Sequence, residues 1–123
     1  MDQAEFKRRT RRAALGFIAL ASAIPRTREG DVIARQILRS GTSVGANYRA
    51  ACRARSPQEM LSKLAIVEEE ADETLYWMEI IEASGLITGK RLRPLQKEMT
   101  ELLAMTVASK KTLRARIGTA HRM

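Results

Sequence analysis

The sequence is poor in the residues that build disulfides, metal centres and catalytic pairs. Cys52 is the only cysteine among 123 residues, which excludes an internal disulfide and a CxxC metal or redox site. His121 is the only histidine, so the chain supplies neither a matched set of Glu-x-x-His ligands nor a convincing nucleophile–histidine pair. We therefore expect a protein that is not an enzyme and holds no metal or cofactor.

Long apolar runs are also missing. No stretch approaches the roughly 20 apolar residues that a membrane-spanning helix needs. Basic residues do precede an apolar run from Ala13 to Ile24, in the manner of a signal peptide, but that run contains Gly16 and Ser22 and is needed as a helix. The sequence predicts a cytoplasmic protein without a membrane partner.

Aromatic residues make up only 4% of the chain and prolines number three, whereas hydrophobic residues reach 45%. This balance favours one helical domain with a core of Leu, Ile, Ala and Met. The segments around residues 4–23, 31–53, 57–84 and 89–116 read as helices, separated by Pro25 and Gly30, by the "SPQE" capping signal at Ser56, and by Gly85. Short connections predict an all-α, antiparallel, up-down-up-down four-helix bundle.

Charge is abundant and unevenly distributed. The net charge is +8, yet residues 59–82 carry eight acids against Lys63 alone. Residues 90–122 reverse this, with nine bases against Glu98 and Glu101. A basic surface of this kind suits a polyanion, self-association or plain solvation, and all three interpretations stay open.

The stretch "SGTSVGANYRAACRARS" presents three faces on the second helix. Gly41 and Gly45 lie on an apolar face, where they predict close helix packing because each costs about 1 kcal/mol of helix propensity relative to Ala. A phosphate-binding loop is not predicted, since the stretch has no lysine and no preceding strand. Ser43 and Asn47 lie on a polar face that favours buried or interface hydrogen bonds.

The third face carries a row of guanidinium groups, a chemistry suited to phosphate or carboxylate: Arg35, Arg39, Arg49 and Arg53. Solvation of this row, or pairing with the acidic third helix of another subunit, is equally compatible with the pattern. On that third helix, Glu68 and Asp72 lie near the core face, so one of them is expected to be partly buried and paired with an arginine or with the polar strip of the second helix. The third helix also has a second apolar stripe, Ile66, Trp77 and Ile80, which predicts subunit contacts.

A set of residues in the second and third helices resembles the 23S rRNA intervening-sequence proteins, also called four-helix bundle proteins. The matching elements are a Ser-x-x-x-Asn pair, an Ala-x-Ser linker and a string through helix three: Ser43 and Asn47, Ala54 and Ser56, then Lys63, Ile66, Glu70, Ala71, Glu73, Tyr76 and Trp77. The resemblance extends over about residues 6–116. Ala50 departs from it, because relatives commonly carry an acid after "NYR".

This resemblance implies a compact bundle that assembles into a ring, typically a homopentamer, with no enzymatic activity attached to the family. A distant relative, the accessory protein of diversity-generating retroelements, is a basic pentameric barrel that engages reverse transcriptase and nucleic acid. We therefore predict a ring-forming protein that binds RNA or DNA through backbone phosphates. The predicted contacts are Arg35, Arg39, Arg49, Arg53, Lys110, Lys111, Arg114 and Arg116. The alternative is an assembly or adaptor protein that docks an acidic protein partner without nucleic acid.

Overall fold

Four α-helices account for almost all of the chain in the computed structural model, which describes residues 2–122 and side chains through residue 120. They are α1 (Gln3–Ala23), α2 (Arg28–Cys52), α3 (Pro57–Ala83) and α4 (Gly89–Arg122). Residues 2–122 contain no strand. Consecutive helices pack side by side and α4 closes against α1, which confirms the predicted all-α, up-down-up-down bundle. The side chain of His121 lies outside the described part.

Each helix begins at a side chain that accepts hydrogen bonds from the free N–H groups of the first turn. The capping residues are Asp2, Thr27, Ser56 and Thr88. Thr27 explains why α2 begins at Arg28, three residues before its predicted start, because its Oγ1 accepts from the Gly30 N–H at 3.0 Å. Gly30 therefore belongs to the first turn, where a Cβ would meet the Pro25 carbonyl oxygen at 2.3 Å.

The fourth helix is longer than predicted. It continues past Arg116 to Arg122, since Gly118 weakens a helix without ending it. Pro94 lies in its second turn and does not stop it. At 34 residues α4 spans about 51 Å, compared with about 32 Å for the 21 residues of α1.

Buried Leu, Ile, Met and aromatic side chains from all four helices form one core. Gly41 and Gly45 bring α1 and α2 together, as their position predicted. A Cβ on Gly41 would lie 2.6 Å from Phe17 Cδ2, and one on Gly45 would lie 3.0 Å from Thr10 Oγ1. Close approach of these two helices thus requires glycine at position 41.

The contact between α1 and α4 is the slightest of the four, and an ion pair reinforces it. Arg9 donates from Nε and Nη2 to both carboxylate oxygens of Glu98, at 2.9 and 2.6 Å, and from Nη2 to Glu101 at 3.2 Å. The hydrogen bonds from Arg9 hold the pKa of Glu98 below its usual value. Arg9 is therefore a structural cation of the α1–α4 contact.

The second apolar stripe of α3, which the sequence assigns to subunit contacts, keeps part of its surface exposed in the single chain. Ile66, Trp77 and Ile80 are half-buried within the single chain, and Trp77 packs against the core. The large apolar side chains left exposed lie mostly on other helices: Leu15, Ile18, Val32, Leu38 and Val107, with Tyr76 on α3. Large apolar side chains are therefore exposed on all four helices, with most of them on α1 and α2.

Candidate nucleic-acid interface

Alternating helix directions bring the start of α1, the end of α2, the start of α3 and the end of α4 to the same end of the bundle. The rings of Phe6 and Tyr48 lie there with centroids 4.1 Å apart. Gln3, Met60 and Arg116 line a common cavity of about 530 Å³ at this end, which ties the other two helices to it. Cations that are far apart in sequence thus become neighbours.

We call this region the basic end and define it by eight exposed cations. They are Lys7, Arg8 and Arg11 of α1, Arg49 and Arg53 of α2, and Lys111, Arg114 and Arg116 of α4. Within the described side chains, seven of them form no ion pair, and the exception is Arg8, which contacts Glu5 at 2.7 Å. No acid follows Glu101 in the sequence of α4, so its end is purely basic.

The acids near the basic end are already engaged. The Asp2 carboxylate accepts from the Ala4 N–H at 2.9 Å and caps α1. Glu59 accepts from the Arg55 backbone N–H at 3.1 Å at the start of α3. Little carboxylate therefore competes for the cations of this end.

Five of the eight predicted nucleic-acid contacts belong to the basic end: Arg49, Arg53, Lys111, Arg114 and Arg116. The three cations of α1 were missed by the sequence prediction. Their signal is the run "KRRTRR" at residues 7–12, in which a helical period places Lys7 and Arg11 on the same face and Arg9 against α4. The basic end is therefore larger than predicted.

Two of the predicted contacts are instead paired with acids of α3. Arg39 donates from Nη1 to Glu70 at 3.1 Å and also contacts Glu73. Lys110 Nζ lies 2.9 Å from Glu68 Oε1, and its side chain is only 14% exposed. Pairing with the acidic helix thus takes place within one chain, and these two cations hold α2 and α4 against α3.

Arg35, the remaining predicted contact, lies in the opposite half of α2. It lines a groove of about 430 Å³ beside the first connection, together with Ile18, Leu38 and Asp31. The acidic side chain of Asp31 and the apolar walls make this groove unlike the basic end. Arg35 is therefore separate from the other exposed predicted cations.

The four predicted structural polar residues have different surroundings. Ser43 Oγ donates to the Arg39 carbonyl at 2.6 Å and Asn47 Nδ2 donates to the Ser43 carbonyl at 2.9 Å. Both bonds lie within α2, a common arrangement for short polar side chains inside a helix. Glu68 is half-buried and paired with Lys110, whereas Asp72 is exposed.

Metal-ligating side chains do not cluster in the part of the chain that the structure describes. No three His, Cys, Asp or Glu side chains converge there to hold a metal ion. Burial, with a smaller effect of the Cys52 thiol, raises the pKa of Tyr48 above its usual value. Within residues 2–122, no helix combines the length and apolarity required to cross a membrane.

Fold and charge together define a small basic four-helix-bundle protein. A model of the 23S rRNA-intervening sequence protein family matches residues 3–108. The chain therefore belongs to this family, as the residues of α2 and α3 predicted. A search of curated proteins found no match.

A solved structure is similar over nearly the whole chain. It is the crystal structure of a protein of unknown function from the S23 ribosomal protein family of Bacteroides thetaiotaomicron. The two chains share 32% identity over 90% of this chain and 99% of that one, with a TM-score of 0.84. The bundle is thus shared with a relative that has no described function.

Proposed function

We propose that this chain is a non-enzymatic, ring-forming protein that binds RNA or DNA through backbone phosphates without base specificity. The proposal includes assembly into a homopentamer and the cytoplasmic location expected from the sequence. Contacts to phosphate position a protein on nucleic acid but carry no sequence information.

The observation that carries the proposal is the gathering of eight exposed cations at one end with almost no free carboxylate. Six of the eight are arginines, whose planar guanidinium suits phosphate oxygens better than a point charge does. Neutralising several phosphates releases counterions, and this release supplies most of the free energy of non-specific binding. A surface whose cations were consumed by ion pairs would lack that source of affinity.

Base stacking is not part of the proposal. The aromatic rings near the basic end, Phe6 and Tyr48, are both fully buried. Binding modes that stack bases need exposed aromatic side chains along a basic groove. Contacts to phosphate are therefore the mode that this surface supports.

Fluorescence anisotropy with a labelled RNA oligonucleotide and a DNA oligonucleotide of the same sequence tests the proposal. We expect both to bind at low salt. A plot of log K against log salt should be linear, with a slope of about −0.7 for each phosphate of a single strand that is neutralised. Replacing Lys111 and Arg114 together by Gln should reduce that slope by roughly 1 to 2. Replacing Lys90 and Arg91 by Gln, the same charge change in exposed residues at the start of α4, should leave it unchanged.

Polyglutamate serves as the comparison probe. If the chain bound polyglutamate but neither oligonucleotide, the acidic-protein alternative would replace nucleic-acid binding. If the oligonucleotides bound with no salt dependence, phosphate contacts would be the wrong mechanism.

A further inference from the structure

A groove of about 450 Å³ runs between α1 and α2 within the basic end. Its charged lining residues are Lys7, Arg8, Arg11, Arg49 and Arg53, and no carboxylate lines it. Its remaining lining residues are small: Thr10, Ala14, Thr42, Gly45 and Ala46. The groove is therefore a trough with cationic walls and a floor of short side chains.

The walls come from two antiparallel helices, so cations face the trough from both sides. Lys7 and Arg11 of α1, and Arg49 and Arg53 of α2, are each four residues apart, which places successive cations about 6 Å apart along each wall. Gly45 packs against Thr10, so these two residues lie at the same height along the bundle axis. From the level of Gly45 to that of Arg53, the trough extends about 12 Å along the bundle.

The trough is open above its floor because the floor residues have short side chains. A Cβ on Gly45 would come within 3.1 Å of Thr10 Cβ, so α1 and α2 lie close here and their short side chains leave the space above them open. The Thr42 hydroxyl donates to the Leu38 carbonyl of its own helix at 2.7 Å and is thereby turned back onto α2. Nothing on the floor neutralises the walls.

The pair formed by Arg8 does not close the trough. Its partner Glu5 lies three residues earlier on α1, and both side chains are more than half exposed. Exposed pairs of this kind contribute little and exchange readily. All five wall cations are thus available to a bound anion.

We infer that this trough holds one phosphodiester strand of a bound nucleic acid, lying along the helix axes with its bases directed away from the protein. The inference rests on the proposed function and specifies its site. A chain of regularly spaced phosphates matches cations that repeat along both walls, whereas a compact anion would contact only one level of the trough. The trough length of about 12 Å spans several consecutive phosphates of one strand.

A substitution that blocks the trough without changing charge distinguishes binding in the trough from general electrostatic attraction to the basic end. Ala46 is exposed and lines the trough, so Ala46→Phe fills the floor without changing any charge. We expect it to weaken binding of a labelled single-stranded oligonucleotide by about tenfold at constant salt. Ala104→Phe is the matched control, because Ala104 is exposed on α4 and does not line the trough.

The outcomes distinguish this inference from the proposed function. Loss of affinity in Ala46→Phe but not in Ala104→Phe supports the trough. Unchanged affinity in both variants, while Lys111→Gln with Arg114→Gln still lowers the salt slope, overturns the trough and leaves nucleic-acid binding standing. Failure of the unaltered chain to bind at low salt removes both.

A second pair of variants applies if circular dichroism shows that Ala46→Phe is misfolded. Arg11→Gln with Arg49→Gln removes one cation from each wall, at exposed positions without ion pairs among the described side chains. This variant should weaken binding more than Lys111→Gln with Arg114→Gln, which removes the same charge outside the trough. Equal or smaller loss in the trough variant overturns the inference.

Discussion

At Gly41, the missing side chain leaves room for the ring of Phe17 on the neighbouring helix. Ala normally stabilises a helix by about 1 kcal/mol relative to Gly. Here the new methyl would meet Phe17 Cδ2 at 2.6 Å and Cγ at 2.7 Å, in a core with little freedom to move. We expect Gly41→Ala to lower the free energy of unfolding by about 1 to 3 kcal/mol, measured by urea denaturation.

Gly118 is the natural control for this prediction. It also lies inside a helix, but a Cβ there would meet no atom within 4 Å. Gly118→Ala should therefore leave the free energy of unfolding unchanged or raise it by up to about 1 kcal/mol. A stabilised Gly41→Ala would contradict the packing role given to that position.

Arg9 and Glu98 give the fold a defined response to acid. Because the Arg9 hydrogen bonds hold the pKa of Glu98 below its value in the unfolded chain, their contribution is complete above about pH 4.5. It is lost as the pH falls through the lowered pKa of the folded state, where the unfolded chain binds the proton more readily. Glu98→Gln should destabilise the protein by about 1 to 2 kcal/mol at pH 7, and by less at pH 3.

Denaturation curves at the two pH values measure this difference. Glu5→Gln removes the exposed partner of Arg8 and should cost under about 0.5 kcal/mol at either pH. An equal loss of stability at pH 3 and pH 7 in Glu98→Gln would show that the stabilisation does not depend on the negative charge of Glu98.

On the scale of the helices, periodicity and capping signals predicted the element order, and the ends of α1 and α3 to within one residue. The same signals placed Arg39 on an exposed face of α2, but they could not show that α3 lies beside it with Glu70 in reach. Lys110 and Glu68 are likewise 42 positions apart in sequence. Which cations are neutralised depends on helix neighbours, and a helical wheel of a single element carries no such information.

The α1 cations show the opposite error, because they are exposed at the basic end but were not among the predicted contacts. The run from Lys7 to Arg12 resembles the basic start of a signal peptide when it is taken alone. Its relation to Arg49 becomes visible only when α1 and α2 lie side by side in opposite directions. Family membership predicted the bundle correctly but assigned no role to this run, so the enlarged basic end is a result of the tertiary structure.

Charge is organised along the whole molecule. The acids of α3 draw Arg39 and Lys110 into ion pairs near the middle of the bundle, while the cations at the basic end stay exposed. Long-range attraction of a polyanion is strongest toward such an end, and salt weakens it over a Debye length of about 8 Å at physiological ionic strength. The acids of α3 thus neutralise cations near the middle of the bundle and leave the cations of the basic end without acidic partners.

The proposed assembly into a ring would require two different faces on each subunit, because a closed ring is built from one repeated contact between two such faces. Exposed apolar side chains lie on two such faces. Leu15, Ile18 and Leu38 lie on α1 and α2, and Tyr76 lies on α3, which packs against α2 and α4. These two faces are therefore the proposed halves of the subunit contact.

Light scattering after size-exclusion chromatography tests this arrangement with two variants. Ile18→Glu with Leu38→Glu impairs the first face and Tyr76→Glu impairs the second, so we expect each variant alone to be monomeric. Mixed together, they should form a heterodimer and stop there, because each pair retains one intact contact and cannot extend it. Val107→Glu, a change at an exposed apolar residue outside both faces, should leave the assembly unaltered. If the mixture stayed monomeric while Val107→Glu abolished assembly, the contact would lie on α4 instead.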